Sequence, residues 1–259
     1  TASLKKINFL PKIMFYDVFC IFLLKVLVKM QYLKDIFYLF YPNLCVNCAV
    51  NLLESEKYLC TFCSNEIPII ENNAYVNSTL LAPFYGKVLI NNVRCFMYYQ
   101  KHGIAKKIIH ELKYKNQPEI GEFIANWFGS QLKESAIFKD VDYIVPVPLH
   151  KKKLKKRGYN QLTKFGKTLS SILNIEYEEQ VLIKSSIAKT QTFKHRFERF
   201  SDSKTKFKLT DFKVFENKHI LLIDDVITTG ATLVACCNEL LKVKNITISI
   251  ATIAYTKKG

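Results

Sequence analysis

The fold of this chain is decided by one stretch near its C-terminus, Ile223-Asp224-Asp225-Val226-Ile227-Thr228-Thr229-Gly230-Ala231-Thr232. An apolar run from His219 to Ile223 leads into it and predicts a strand that ends at Asp224, while residues 231–243 predict a helix. In open α/β sheets, ligands bind at the edge where the strands run out into such turns. The order of strand, acidic pair, Thr/Gly turn and helix therefore predicts a ligand-binding loop.

Each residue type in this loop suits one part of a sugar phosphate. The N–H groups at the start of a helix can bind a phosphate, and Gly230 allows the backbone to approach it closely. The predicted phosphate contacts are Thr228, Thr229, Gly230, Ala231 and Thr232. Asp224 and Asp225 repel a phosphate but accept hydrogen bonds from vicinal hydroxyls. The stretch thus predicts a site for a ribose with a 5′-phosphate; the alternative is an ordinary capped helix after an acidic turn.

Composition allows one large domain or two smaller ones. The chain has 259 residues, of which 49% are hydrophobic, so a core can form. Its net charge of +16 favours phosphate-rich partners, namely nucleotides, nucleic acid or a membrane surface, without choosing among them. Solubility alone is the other explanation of the charge.

Two Cys-x-x-Cys pairs, Cys45 with Cys48 and Cys60 with Cys63, lie eleven residues apart. Four thiolates make a closed tetrahedral site, so this spacing predicts a structural Zn²⁺ ion. An iron–sulfur centre or four unrelated buried thiols are the alternatives. The other four cysteines lie in apolar stretches, which favours a reducing compartment and hence the cytoplasm.

The first 29 residues have no clear structural pattern. Their longest apolar run, Val18 to Leu24, is shorter than the roughly 20 residues that span a bilayer. No small-residue cleavage site follows, so we predict neither a transmembrane segment nor a secretory signal. We interpret residues 1–29 as a non-native or disordered extension, with Met30 as the start; a membrane-surface helix is the alternative. Residues 31–40 predict an amphipathic helix that ends before Pro42.

Strand and helix patterns alternate through the rest of the chain. This alternation predicts a mostly parallel sheet with helices on both faces. The predicted elements are helices around Ile104–Leu112 and Phe123–Leu132, a strand at Tyr143–Val147, a helix from about Tyr159 to Leu173, a long mobile loop at 185–208, and a strand at Ile246–Tyr255.

A basic loop is predicted between the Tyr143 strand and the next helix. Six of the eight residues from 150 to 157 are Lys or Arg. Because this run follows a strand of the same sheet, Lys153 and Arg157 could hold a pyrophosphate, or the run could hold a nucleic-acid backbone. A solvated charged face is the commoner origin of such a run.

Several segments together resemble the ComF family of competence proteins, which contain a type I phosphoribosyltransferase domain. The segments are Val145–His150 with Arg157-Gly158-Tyr159-Asn160-Gln161, the Leu112-Lys113-Tyr114 motif, Phe37–Cys63, the Asp224–Thr232 loop, and Thr190-Gln191, Arg199 and Phe207 in the family's mobile loop. The resemblance covers about Gln31 to Tyr255. The family usually has Arg near position 153 and Asn near position 202, where this chain has Lys153 and Asp202.

The resemblance implies a zinc ribbon at residues 30–70 and a phosphoribosyltransferase-like domain at 71–259. It also implies binding of phosphoribosyl pyrophosphate with Mg²⁺, with Asp224 and Asp225 as catalytic residues near the ribose. Three interpretations stay open. The chain is an enzyme that transfers phosphoribose to a nitrogenous acceptor, an accessory protein of natural competence that senses nucleotides or binds single-stranded DNA beside the DNA-uptake machinery, or a regulator with an effector pocket.

Overall fold

The computed structural model describes residue 32 and residues 38–71, 73–115, 117–185 and 206–257. The chain divides into two compact units, Thr1–Cys45 with Ala49–Cys60, and Val46–Cys48 with Thr61–Gly259. Our expectations for residues 1–29 and for Thr190, Gln191, Arg199 and Asp202 fall outside the described residues. The predicted boundary at residue 70 stays a prediction.

The described part of the first unit contains the two arms of a short hairpin. The Cys45 N–H donates to the Val50 carbonyl at 2.8 Å, and the Leu52 N–H donates to the Asn43 carbonyl at 2.8 Å. The chain reverses with Ala49 in the left-handed region, at a φ of 60°. Residues 38–40, just before the hairpin, are helical, and they belong to the amphipathic helix predicted for residues 31–40.

The second unit contains a five-stranded parallel sheet, as predicted. Its order is β1-β7-β6-β2-β3, and every neighbouring pair is parallel. Every residue of β7 from Ile248 to Tyr255 is buried, so both faces of the sheet are covered there. The strands are β1 (Val93–Tyr99), β2 (Tyr143–Pro146), β3 (Glu176–Tyr177), β6 (His219–Ile227) and β7 (Thr247–Thr256), and a separate antiparallel ribbon is formed by β4 (Leu182–Ser185) and β5 (Lys206–Leu209).

Apolar stripes on the helices supply the core around this sheet. The helices are α1 (Thr61–Asn65), α2 (Ala74–Leu81), α3 (Ile104–Tyr114), α4 (Glu119–Ser135), α5 (Lys151–Arg157), α6 (Leu162–Leu173) and α7 (Ala231–Leu240). The predicted stripe of α3 is buried, including Ile108 and Leu112. Phe128 of α4 stacks on Phe165 of α6 with their ring centroids 6.5 Å apart. Among the described residues, no helix is both long enough and apolar enough to span a bilayer.

Two predicted elements near the candidate site were wrong. Strand β6 does not end at Asp224 but continues to Ile227, because β7 pairs with it as far as Tyr255. The stretch after β2 is the short helix α5 and not a loop. It begins where the His150 ring nitrogen accepts the Lys152 N–H at 3.2 Å, and it ends at Gly158 with a φ of 78°.

Two other regions add to or change the expected elements. Before α3, Ala74–Leu81 is helical and Val93–Tyr99 is the edge strand of the main sheet. Phe207 does not belong to a mobile loop, because it is 5% exposed and pairs with Lys184 across the ribbon. These elements depend on distant strands, which a local sequence pattern does not show.

Candidate functional site

Strand β6 carries the acidic pair near the carboxyl end of the sheet. Asp225 is 6% exposed, and each of its carboxylate oxygens has a partner. Lys113 of α3 lies 2.7 Å from Oδ1, and the Gln161 amide donates to Oδ2 at 2.8 Å. Removing one partner of a buried ion pair costs about 3–5 kcal/mol, because the remaining charge is left without compensation. Asp225 is therefore fixed in place by two other segments of the chain.

The surroundings of Asp224 differ from those of Asp225. Its side chain is only half-buried, and Oδ1 accepts the N–H of Asp225 at 2.8 Å. Burial raises the pKa of Asp224 above its ordinary value, and repulsion by the Asp225 carboxylate raises it further. Lys113 and Lys184 act in the opposite direction. Asp224 is thus an accessible acid that holds its proton more strongly than an ordinary carboxyl group.

A chain of contacts continues from Asp225 to a cation. The Gln161 Oε1 atom accepts a hydrogen bond from Arg157 at 2.7 Å. The Arg157 guanidinium lies over the Tyr114 ring, 5.0 Å from its centroid. Two segments that are distant in sequence, 109–115 and 157–161, therefore meet at Asp225. Our sequence analysis did not assign Lys113 or Gln161 to the site, although both lie in segments that it had singled out.

The predicted phosphate loop follows β6 directly. Gly230 adopts a φ of 75°, in the left-handed region, and it is the residue before the first turn of α7. Thr228, Thr229, Ala231 and Thr232 are exposed, whereas Gly230 is buried. A Cβ atom at Gly230 would lie 3.1 Å from Pro83 Cβ. The first N–H groups of α7 and the threonine hydroxyls therefore lie together on an accessible surface, which is suited to bind an anion.

Cationic side chains lie near the acidic pair. Arg157 at the end of α5 reaches Asp225 through Gln161, while Lys153 of the same helix is exposed. Lys184 of β4 is a cation that our sequence analysis did not assign to the sugar-phosphate site. Burial lowers the pKa of Lys184, the charge of Lys153 lowers it further, and Asp224 opposes the shift. Lys184 thus lies within electrostatic range of both Lys153 and Asp224.

The paired cysteines form one cluster. The Sγ atoms of Cys45, Cys48, Cys60 and Cys63 all lie within 4.8 Å of one another. The Cys60 N–H donates to Cys45 Sγ at 3.4 Å, and the Asn47 side-chain amide donates to Cys63 Sγ at 3.3 Å. Such hydrogen bonds orient thiolates and stabilise their charge, as expected around a metal. The donor set and its surroundings fit a tetrahedral Zn²⁺ site.

The other described cysteines differ chemically from this cluster. Cys95, Cys236 and Cys237 are all buried in the second unit. Burial raises the pKa of Cys95 and of Cys237 to about 12, and it raises that of Cys236 as well. Thiols of this kind stay protonated near neutral pH and pack as small apolar side chains.

The sequence is similar to one domain family and to several proteins of known name. Residues 162–259 match the phosphoribosyl transferase domain family. The chain is 27% identical to Competence protein F of Haemophilus influenzae over 205 residues, which cover 75% of this chain and 89% of that protein. It is 27% identical to the DNA utilization protein YhgH of Escherichia coli K12 over 138 residues. That match covers 52% of this chain and 60% of YhgH, so it spans less than two thirds of that relative.

One solved structure similar to the chain is adenine phosphoribosyltransferase from Saccharomyces cerevisiae. That similarity has a TM-score of 0.35 and 17% identity, and it covers 53% of this chain and 69% of the yeast protein. The segment matched by the domain family, 162–259, includes β6, the start of α7 and the whole Asp224–Thr232 loop.

Proposed function

We propose that this chain, a homologue of competence protein F with a phosphoribosyltransferase-type fold, binds phosphoribosyl pyrophosphate with Mg²⁺ at the Asp224–Thr232 loop. One observation carries the proposal. The exposed donors of the loop and the accessible Asp224 lie together where central strand β6 ends. The names of the relatives, Competence protein F and DNA utilization protein, support a role in DNA uptake. We place that role in the cytoplasm.

The proposed ligand matches the charges along this edge of the sheet. The N–H groups and hydroxyls from Thr228 to Thr232 would hold the 5′-phosphate, and Asp224 would accept a hydrogen bond from a ribose hydroxyl. Lys153, Arg157 and Lys184 would surround the pyrophosphate. Mg²⁺ would arrive with the pyrophosphate and neutralise part of its charge.

Turnover is a second step of the proposal. The bond from C1 to the pyrophosphate oxygen would break, and a nitrogen atom of the acceptor would form the new bond to C1. The sugar would develop positive charge in between, which the carboxylate of Asp224 could stabilise electrostatically. Binding without turnover would make the chain a nucleotide-sensing accessory protein.

Phosphoribosyl pyrophosphate with Mg²⁺ is expected to raise the melting temperature. At 100 times the dissociation constant, binding should add about 2.7 kcal/mol to the free energy of unfolding. Asp224→Asn should abolish that increase, because an amide lacks the charge and one acceptor of the carboxylate. Differential scanning fluorimetry of the parent and the variant, with and without ligand, measures both effects.

Two features make this experiment specific. Since burial raises the pKa of Asp224, the neutral amide of the Asp224→Asn variant should not lower the melting temperature of the unliganded protein near neutral pH. Asp140→Asn, at an exposed position before β2, should keep the full ligand-induced increase. A parent protein that shows no increase with ligand would rule out the proposed binding.

We also propose that Cys45, Cys48, Cys60 and Cys63 hold a structural Zn²⁺ ion. The closed set of thiolates leaves no position for a substrate, so the ion would act on folding and not on chemistry. This proposal keeps residues 30–70 as a zinc ribbon and residues 71–259 as the phosphoribosyltransferase-like domain.

A second candidate function is weak binding of single-stranded DNA. The Tyr114 ring is favourably placed for it, because its side chain is 65% exposed and Arg157 lies over the ring. His110 lies beside the same ring, with a centroid distance of 5.2 Å. Cations and exposed aromatic rings together bind phosphates and stack bases without sequence preference. The exposed lysines of α5 would extend this surface.

Replacing Lys152, Lys153 and Lys155 together with Ala should weaken the salt dependence of DNA binding. Each phosphate neutralised on a single strand contributes about −0.7 to the slope of log K against log salt concentration, so the slope should lose about two units. Fluorescence anisotropy of a labelled oligonucleotide across a salt series measures it. Lys133, Lys139 and Lys244 are exposed residues outside this helix and offer a variant with the same loss of charge. Equal slopes in the two triple variants would argue against binding at α5.

A further inference from the structure

The two acids of β6 are not equivalent in their contacts. Both oxygens of Asp225 already have partners, an ammonium at 2.7 Å and an amide at 2.8 Å, and its side chain is almost fully buried. Because the side chain is buried, a ribose hydroxyl has little access to this carboxylate. Asp224 is only half-buried, and its Oδ1 accepts a backbone N–H. The accessible acceptor of the pair is therefore Asp224.

We infer that Asp224 is the ligand-facing acid and that Lys113 and Gln161 are positioning residues, which hold Asp225 behind it by its two oxygens. The inference rests on the proposed function, because it takes phosphoribosyl pyrophosphate to bind at the adjoining loop. It assigns different tasks to two side chains that look interchangeable in the sequence. It also gives a task to two residues, on α3 and just before α6, that do not themselves touch the ligand.

The orientation of Gln161 follows from its neighbours. Arg157 has only donors, so the Gln161 atom facing it at 2.7 Å must be the amide oxygen. The amide nitrogen is then directed to Asp225, where a carboxylate accepts it. Arg157 therefore sets the orientation of Gln161, and Gln161 in turn fixes Asp225. The cation proposed for the pyrophosphate is thus connected to the acidic pair through a single side chain.

Charge links this network to Asp224. Lys113 lies beside the Asp225 carboxylate, and repulsion by that carboxylate raises the pKa of Asp224 while the Lys113 charge lowers it. Among the residues that the structure describes, four groups on other segments face the pair: Lys113 from α3, Gln161 before α6, Lys184 from β4 and Cys236 from α7. Because its pKa is raised, Asp224 is protonated in a fraction of the protein molecules. Ligand affinity should therefore rise with pH as Asp224 loses this proton. Removing Lys113 takes a positive charge from the pair and should move this rise to higher pH.

Lys113→Met tests the inference through a pH profile. The ligand-induced increase in melting temperature would be measured from about pH 5 to about pH 9 with phosphoribosyl pyrophosphate and Mg²⁺. We expect the midpoint of the rise to move upward by about one pH unit or more in Lys113→Met. Lys113→Arg should restore the parent profile, because it returns the charge. Lys106→Met, at an exposed position of the same helix, should leave the midpoint unchanged.

Gln161→Met gives a second test that alters no charge, in case Lys113→Met fails to fold. It removes the amide donor to Asp225, so the midpoint should move in the same direction, whereas Gln131→Met on α4 should not move it. The inference would be overturned if the midpoint did not move in whichever of the variants Lys113→Met and Gln161→Met folds. The inference would also be overturned if the midpoint moved as far in Lys106→Met as in Lys113→Met.

Measurements on the unliganded protein distinguish failure of the proposed function from failure of the positioning role. An acid with a raised pKa in the folded state lowers stability as pH rises through that pKa. The melting temperature of unliganded Lys113→Met should therefore fall more steeply with pH than that of Lys106→Met. A parent that never responds to the ligand would overturn the proposed function, while this comparison would still test the positioning of Asp225. Parallel pH profiles of the two unliganded variants would overturn the positioning role.

Discussion

Cys60→Ser is expected to release the proposed Zn²⁺ ion and to unfold the segment around the cysteine cluster. The Cys60 side chain is buried, and its N–H donates to Cys45 Sγ, so the variant loses a ligand next to a second one. A segment this short buries little apolar surface of its own. Metal binding can supply on the order of 10 kcal/mol to such a structure, so its loss should be decisive. This is the largest effect that we expect from one substitution.

Elemental analysis and hydrogen exchange would measure the two parts of this prediction. The parent should contain about one equivalent of zinc, and Cys60→Ser should contain little. Amides between residues 43 and 63 should lose protection in the variant. Cys237→Ala removes a buried thiol outside the cluster, so it should retain the metal. Less than about half an equivalent of metal in a parent protein that is folded would contradict the prediction.

Gly230→Val should distort the phosphate loop and abolish ligand binding. Gly230 has a φ of 75°, a region that costs a residue with a side chain about 1–2 kcal/mol, and Val is stiffer than most because it is β-branched. The new Cβ would also lie 3.1 Å from Pro83 Cβ, tighter than an ordinary contact. The backbone must therefore move, and the N–H groups of Ala231 and Thr232 would move with it. We expect a loss of a few kcal/mol of stability, together with the loss of the ligand-induced increase of about 2.7 kcal/mol.

Gly86→Val is the matched control for this variant. Gly86 has a φ of 69°, but no atom lies within 4 Å of its added Cβ. It should therefore show the backbone cost alone and keep its response to the ligand. Thermal melts of both variants with and without phosphoribosyl pyrophosphate and Mg²⁺ separate the two contributions. A Gly230→Val protein that responds to the ligand as the parent does would place the phosphate elsewhere.

The succession of strand, turn and helix around Asp224–Thr232 could be predicted because its signal is local. Strand, acids, Gly230 and helix follow one another in the chain, and each residue type has its own chemical reason there. The paired cysteines are local in the same sense. The sheet was predictable from the alternation of strands and helices, and its parallel pairing is confirmed.

The contacts of Asp225 could not be predicted in this way. Lys113 and Gln161 come from separate helical segments, and only the packed fold brings them to the two oxygens of one carboxylate. Lys184 was not assigned to the sugar-phosphate site because a single lysine in an amphipathic strand resembles any surface cation. Helix α5 was mistaken for a loop because a run of like charges disfavours a helix, whereas the cap at His150 and the left-handed Gly158 favour one.

The order of strands in the sheet has a consequence for how the protein acquires its structure during synthesis. The edge strand β1 hydrogen-bonds to β7 on its sheet side, and Cys95 and Thr252, which touch across that pair, are 157 positions apart in the chain. Such distant partners make folding slow, because a long loop must close before any contact compensates for the lost entropy. While the ribosome is still making the second half of the chain, the backbone groups of β1 that face β7 have no partner, although its other side hydrogen-bonds to residues 68–70. The exposed apolar residues of a nascent β1 are then open to aggregation, and a chaperone is the natural means of protecting them.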